Sequence, residues 1–290
     1  MTSLSTEPQP QTSAVGATRA SRTALLVAAY RARASEGAAP LCDDKWASAL
    51  SGDEGRALAA AFDEVKPVMA LYIALRTAFL DAQVRMWTSP PHGFDQIVLL
   101  GAGLDSRAAR LGREGLRFFE VDHPASQADK RRRVASIPGY PQDAATWVTC
   151  DFEAEDFLGR LVAAGFDPDR PSVILWEGVT MYLGEEAIRT TLRRVTSACE
   201  PHTVLLFDHV PAPSPSATPN QSHAFVANLG ERFGWGTDDA LPMLFEEGFG
   251  HVQSLTFDEI CLTFTGTYDP ERGFRARRMV VASKSPPPRP

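Results

Sequence analysis

The chain is 290 residues long, with 29 basic against 36 acidic side chains and a formal net charge of −7. That length suits one large α/β domain with appendages, and 44% hydrophobic residues suffice for a buried core, which excludes a disordered or fibrous chain. The acidic balance lacks the cationic surplus that neutralises phosphates, so nucleic acid is excluded as a partner.

Residues 1–20, MTSLSTEPQPQTSAVGATRA, are rich in Ser, Thr, Pro and Ala without an apolar leader core, so a flexible tail is expected there. Ser21 suits a helix N-cap, and Ala24, Leu25, Ala28 and Ala29 follow at helical spacing. After a loop over 37–44, one helix is expected through Trp46 and Leu50 and another through Leu58 and Phe62. Pro67 suits the first turn of a longer helix carrying Val68, Leu71, Tyr72, Leu75 and Leu80. Residues 21–92 therefore read as a helical cap without strands.

Strand and helix alternate from Gln96 onward. Strands are expected at Gln96–Leu100, Leu116–Asp122, Thr146–Asp151, Ser172–Glu177 and Thr203–Asp208. Helices around Arg107–Arg113, Ala125–Ala135, Phe157–Ala164 and Glu185–Ala198 separate them. Near-continuous apolar strands in this alternation signal a parallel sheet covered on both faces. The first strand runs into glycine and the other four end in Asp or Glu, at the edge where an open parallel sheet forms its ligand crevice. An irregular tract then leads into a helix-like stretch, and 210–250 reads as a lid or acceptor insertion. Strands His251–Phe257 and Arg275–Ser283, joined by a polar tract, close the sheet within 251–285. The core 93–209 and these flanks make a single domain over 21–285, and 286–290 is a second tail.

Cys42, Cys150, Cys199 and Cys261 lie far apart with no CxxC pair, which fits reduced thiols in a cytoplasmic protein. No run approaches the roughly 18 apolar residues of a membrane span, so no membrane partner is expected. The six histidines show no ligand spacing, so no metal is expected. Lys130 to Arg133 reads as the solvated face of a helix.

The chemistry concentrates in Gly101-Ala102-Gly103-Leu104-Asp105-Ser106. A lone GxG is often an ordinary turn, but this one follows a strand, opens a helix, and precedes Asp122 at the next strand's tip. Glycine lets a ligand approach the backbone, and such a carboxylate can accept both hydroxyls of a ribose. Position 106, where a nicotinamide site prefers glycine, is Ser106, so the ligand reads as an adenosine-type nucleoside. Asp151 with Phe152 could read an adenine, or Asp151 could merely cap a helix. Glu177 could hold an ammonium group, or be satisfied by neighbouring backbone. Asp208-His209 is the best general-base candidate, with a buried structural histidine as the competing reading.

VLLGAGLDSRAARL, FFEVDHPASQADKRR, Asp151-Phe152 and WEGVTMYL resemble the leucine carboxyl methyltransferase-type branch of S-adenosylmethionine-dependent methyltransferases. That branch includes bacterial enzymes that methylate polyketide and other small-molecule carboxylates. The resemblance spans about Ser21 to Ser283. It implies a class I methyltransferase (Rossmann-like) α/β fold: seven mostly parallel strands, the last antiparallel, with an N-terminal helical extension. It implies S-adenosyl-L-methionine as cofactor, with Arg76 on the methionine carboxylate, Gly101 and Gly103 along the methionine moiety, and Asp122 on the ribose. Asp151 and Phe152 would take the adenine and Glu177 the region of the amino group. Tyr182 matches the family's EG-x3-Y tyrosine and would orient the acceptor oxygen as the catalytic residue. The expected reaction is O-methylation of a small-molecule carboxylate. Hydroxyl methylation in secondary metabolism and a non-catalytic nucleoside-binding subunit are the alternatives. The oligomeric state and the acceptor's identity are not readable from the residues.

Overall fold

The computed structural model of the chain describes residues 20–36, 40–151, 155–212, 221–267 and 276–286. The expected tails, and Phe152, lie almost entirely outside these residues. Ser21 caps α1 (Arg22–Ala34), its hydroxyl accepting from the Ala24 N–H. The two short helices expected next are one helix, α2 (Ala47–Asp63), kinked at Gly52. Pro67 stands just ahead of α3 (Met69–Thr88).

The alternating half supplies β1 (Gln96–Leu100), α4 (Arg107–Leu111), β2 (Arg117–Asp122), α5 (Pro124–Ala135), β3 (Thr146–Thr149) and α6 (Phe157–Ala163). β4 (Ser172–Trp176), a 3-10 turn over Thr180–Tyr182, α7 (Glu185–Ala198) and β5 (Val204–His209) follow. The chain ends in α8 (Gln221–Asn228), α9 (Leu241–Glu246), β6 (His251–Thr256), α10 (Phe257–Thr265) and β7 (Arg278–Ser283).

Seven strands form one sheet in the order β3-β2-β1-β4-β5-β7-β6. β1 to β5 pair in parallel, and β7 runs antiparallel between β5 and β6. The sheet is therefore the mostly parallel one expected, with its last strand reversed. Strand order turns back between β1 and β4, and a crevice opens outside the carboxyl ends there.

Period-two alternation divides the core between the two faces of the sheet. Ile97, Leu99, Leu175 and Leu206 pack toward α1, α2, α3 and α10. Val98, Leu100, Trp176 and Phe207 pack toward α6, α7 and α9. Ile188, Leu192 and Val195 supply the buried stripe of α7 at helical spacing. α10 replaces the polar tract expected after β6. Thr256 and Glu259 form a reciprocal capping box that turns strand directly into helix, so Phe257 begins α10 instead of ending β6. Lys130 also departs from the solvated face assigned to it: it is 1% exposed and pairs with Glu120 at 2.6 Å, while Arg131 and Arg132 are exposed. Among the described residues no helix is long and apolar enough to cross a membrane.

Candidate active site

The turn between β1 and α4 opens onto a cavity of about 290 Å³ at the carboxyl edge of the sheet. Gly101 and Gly103 hold φ of 68° and 46°, in the left-handed region that side chains avoid. A Cβ on Gly101 would lie 2.4 Å from Val179 Cγ2, and one on Gly103 would lie 3.3 Å from Ala24 Cβ. The turn is thus a bare-backbone ledge with no space for a side chain at Gly101. The Gly103 N–H donates to Asp122 Oδ2 at 2.5 Å, and the His123 N–H donates to Oδ1 at 2.7 Å. Ledge and carboxylate are therefore one unit. Burial pushes the Asp122 carboxyl above its ordinary value, against the pull of these two N–H donors.

Gly101→Ala is expected to cost about 1–2 kcal/mol from the backbone alone, with the Val179 collision in addition. Urea unfolding measures it, and an unchanged midpoint would contradict the tight ledge.

Behind the ledge lies a web of buried charges. Arg76, from α3, donates through Nε to Glu177 Oε1 at 2.8 Å and through Nη1 to Asp208 Oδ2 at 2.9 Å. Asp208 also accepts from the Tyr72 hydroxyl at 2.8 Å and the Gly178 N–H at 2.6 Å. Burial alone would raise the Asp208 carboxyl, but Arg76 and these donors outweigh it and hold it low. Arg107, at the start of α4, binds Glu177 Oε2 at 2.5 Å, Asp81 Oδ1 at 2.7 Å and the carboxylate of Asp105. Glu177 is thereby fixed between two guanidinium groups at the mouth of β4.

Tyr182 ends the 3-10 turn, lines the cavity, and packs its ring 5.6 Å from Phe233. Burial pushes its phenol well above the ordinary value, and the Glu231 carboxylate adds to the shift. The hydroxyl is therefore a proton donor at neutral pH. Glu231 itself accepts from the hydroxyls of Ser21 and Thr23. The loop after α8 reaches this point because the Gly234 N–H binds Met181 O at 2.8 Å, while Phe225 of α8 packs on Phe62 of α2.

Arg76, Gly101, Gly103, Asp122, Glu177 and Tyr182 all line this one cavity. Asp151 is not among its lining residues. It stands two residues past the end of β3, with its N–H donating to Glu155 Oε2 at 2.9 Å. Phe152 lies outside the described residues. Asp208-His209 does not supply a base. Asp208 is 0% exposed and fully engaged by Arg76, Tyr72 and Gly178. His209, one residue on, is also 0% exposed, and its ring lies 6.1 Å from that of Trp235 and outside the cavity lining. Sequence reasoning missed Arg107 and Asp208 as the partners that fix Glu177 and Arg76. The available signal was a charged residue directly after the glycine turn, where α4 must tuck beneath the ledge.

Comparison with known proteins follows the same lines. A family model described as leucine carboxyl methyltransferase matches residues 24–196. A protein of Mycolicibacterium vanbaalenii, provisionally named an S-adenosyl-L-methionine-dependent methyltransferase, is 35% identical over 214 residues, covering 69% of this chain and 68% of its own length. A Parafrankia protein with the same provisional name is 35% identical over 201 residues, covering 67% of this chain and 64% of that protein. Among solved structures, a protein of Thermobifida fusca provisionally named a methyltransferase matches with a TM-score of 0.62 at 19% identity, over 92% of this chain and 96% of that one. A DUF574 family protein of Streptomyces avermitilis matches with a TM-score of 0.60 at 14% identity, over 92% and 98% of the two chains. At these identities the two structures bear on the fold.

Proposed function

Because this chain belongs to the leucine carboxyl methyltransferase family of S-adenosylmethionine-dependent methyltransferases, we propose that its cavity brings a small-molecule carboxylate to the donor and yields a methyl ester. The residues suit the donor. The side-chain-free ledge at Gly101 and Gly103 leaves room for close approach to backbone, and Asp122 keeps lone pairs for ribose hydroxyls. Glu177, clamped by Arg76 and Arg107, presents a fixed negative group to a cationic ligand. When bound, the donor supplies a methyl carbon on a sulfonium, which an ionised oxygen can take without losing a proton. The protein's part is alignment and exclusion of water.

The observation that supports the carboxylate reading is the place of Tyr182, whose phenol lines the cavity with its ring packed on Phe233. A donor of this kind can hold one oxygen of an acceptor carboxylate while the other reacts, and that hydrogen bond survives on the carbonyl of the ester. A hydroxyl acceptor would instead have to give up a proton here, and the carboxylate at this place, Glu231, is already engaged by the hydroxyls of Ser21 and Thr23. Tyr182→Phe is expected to lower kcat/KM by roughly tenfold or more, the scale of a hydrogen bond to a charged oxygen at about 1.5–3 kcal/mol. Calorimetric donor affinity should stay within about twofold. Collapse of donor affinity would make Tyr182 a donor-site residue. The pH profile tests the acceptor class: with a carboxylic acid, kcat/KM should be flat once the acid is ionised, whereas a continuing rise with pH would mark a hydroxyl.

A further inference from the structure

The cavity's cations fall into two groups. Arg31 and Arg76 are neutralised, Arg31 by Asp44 at 2.9 Å and Arg76 by Glu177 and Asp208. Lys66 and Arg277 line the same cavity and have no carboxylate partner among the described residues. Arg277 lies over the Tyr72 ring at 4.5 Å, a contact that leaves its N–H donors available. The two cations oppose each other: burial first and Arg277 second push the Lys66 ammonium below its ordinary value. Burial, Lys66 and Arg277 likewise depress His223, which stacks on Phe233 at 4.2 Å. Phe233 also packs on Tyr182, so His223 and the catalytic phenol share one aromatic partner.

Two cations that line a cavity with no carboxylate partner among the described residues suit an anion. The carboxylate that reacts is the wrong one, because its charge disappears as it takes the methyl group. An ion pair to it would stabilise the ground state more than the transition state and slow the reaction. An anion that keeps its charge throughout has no such penalty. Resting on the carboxylate-methylation reading above, we propose that Lys66 and Arg277 form the recognition site for a second carboxylate of the acceptor, so that the substrate class is dicarboxylic acids. One carboxylate oxygen takes the methyl group as the donor's carbon–sulfur bond breaks. The other carboxylate stays ionised on Lys66 and Arg277, and the product is a monomethyl ester.

The test compares straight-chain dicarboxylic acids with monocarboxylic acids of the same length, using the full chain and labelled donor. The wild type should favour the diacid in kcat/KM by about tenfold or more, the scale of one charge-assisted contact, and should stop at the monoester. Lys66→Met and Arg277→Met should each reduce the diacid-to-monoacid ratio by at least about fivefold, chiefly through KM. Lys66→Arg should restore most of it. Equal turnover of diacids and monoacids, or a ratio that both variants leave intact, would overturn the proposal while leaving carboxyl methylation standing. Methylation of no acid at all would instead overturn the reading on which it rests. Loss of calorimetric donor affinity in either variant would assign the pair to the donor and overturn the proposal.

Discussion

Replacing Arg107 with leucine is expected to lower folding stability by about 3–5 kcal/mol at neutral pH, the range for breaking a buried ion pair from one side. Arg107 is 1% exposed and holds three carboxylates, of Asp81, Asp105 and Glu177. Asp81 retains Arg110 at 2.6 Å, and Glu177 retains Arg76 at 2.8 Å. Asp105 loses its ion-pair partner and keeps only the backbone N–H of residue 107, so its carboxylate is the one left to bear the penalty. The pH dependence identifies it. Burial favours the neutral acid, but Arg107 and the cations of Arg31, Lys130 and Arg110 hold the Asp105 carboxyl far below the ordinary value. A depressed carboxyl contributes stability above its unfolded pKa of about 3.9, and that stability fades as pH falls toward the folded value. The deficit of Arg107→Leu should therefore shrink below roughly pH 4. Urea unfolding at several pH values measures this. A deficit under about 1 kcal/mol at neutral pH would mean that the carboxylates do not depend on Arg107.

Asp122→Ala is expected to weaken donor binding by about 1–3 kcal/mol, or roughly fivefold to 150-fold in Kd. Two losses combine. The ribose loses its acceptor, and the Gly103 N–H loses the oxygen that fixes the ledge at 2.5 Å. The raised Asp122 carboxyl adds a pH signature. Burial disfavours its ionised form, so this group supports folding below its unfolded pKa and loses that contribution as pH rises through the folded value. Donor binding has the opposite sense, because the ionised form is the ribose acceptor. Wild-type affinity should fall as pH drops through the raised value, and Asp122→Asn should flatten that dependence. Titration calorimetry across the mildly acidic range measures both, and unchanged affinity in Asp122→Ala would sink the ribose assignment.

Much of this architecture is legible in the chain. Buried parallel strands carry continuous apolar runs, so QIVLL and SVILW mark β1 and β4 to within a residue. α7 is equally plain, because its acidic first turn and buried stripe agree. α10 was hidden by Phe257, whose apolar side chain extends the β6 pattern. The Thr256 and Glu259 capping box is the local signal that separates them. For the site, strand tips predict Asp122 and Glu177 because parallel topology alone brings those ends together. Asp208 is a strand tip too, but its pairing with Arg76, like that of Arg107 with Glu177, depends on how α3, α4 and β5 pack against one another. Such long-range pairs leave no periodic trace, and a buried cation on a short helix looks the same as a solvated one. Lys130 shows this directly: it sits in a run of four basic residues, yet it turns inward to Glu120.

Methyl transfer to a carboxylate is distinguished from other methylations by the fate of a labelled methyl group. The protein is incubated with methyl-labelled S-adenosylmethionine and small mono- and dicarboxylic acids, and the products are treated with mild base. Carboxyl methylation gives an acid-dependent product whose label is released as volatile methanol. Label retained in a base-stable product, as in an ether or a methylated amine, would contradict it.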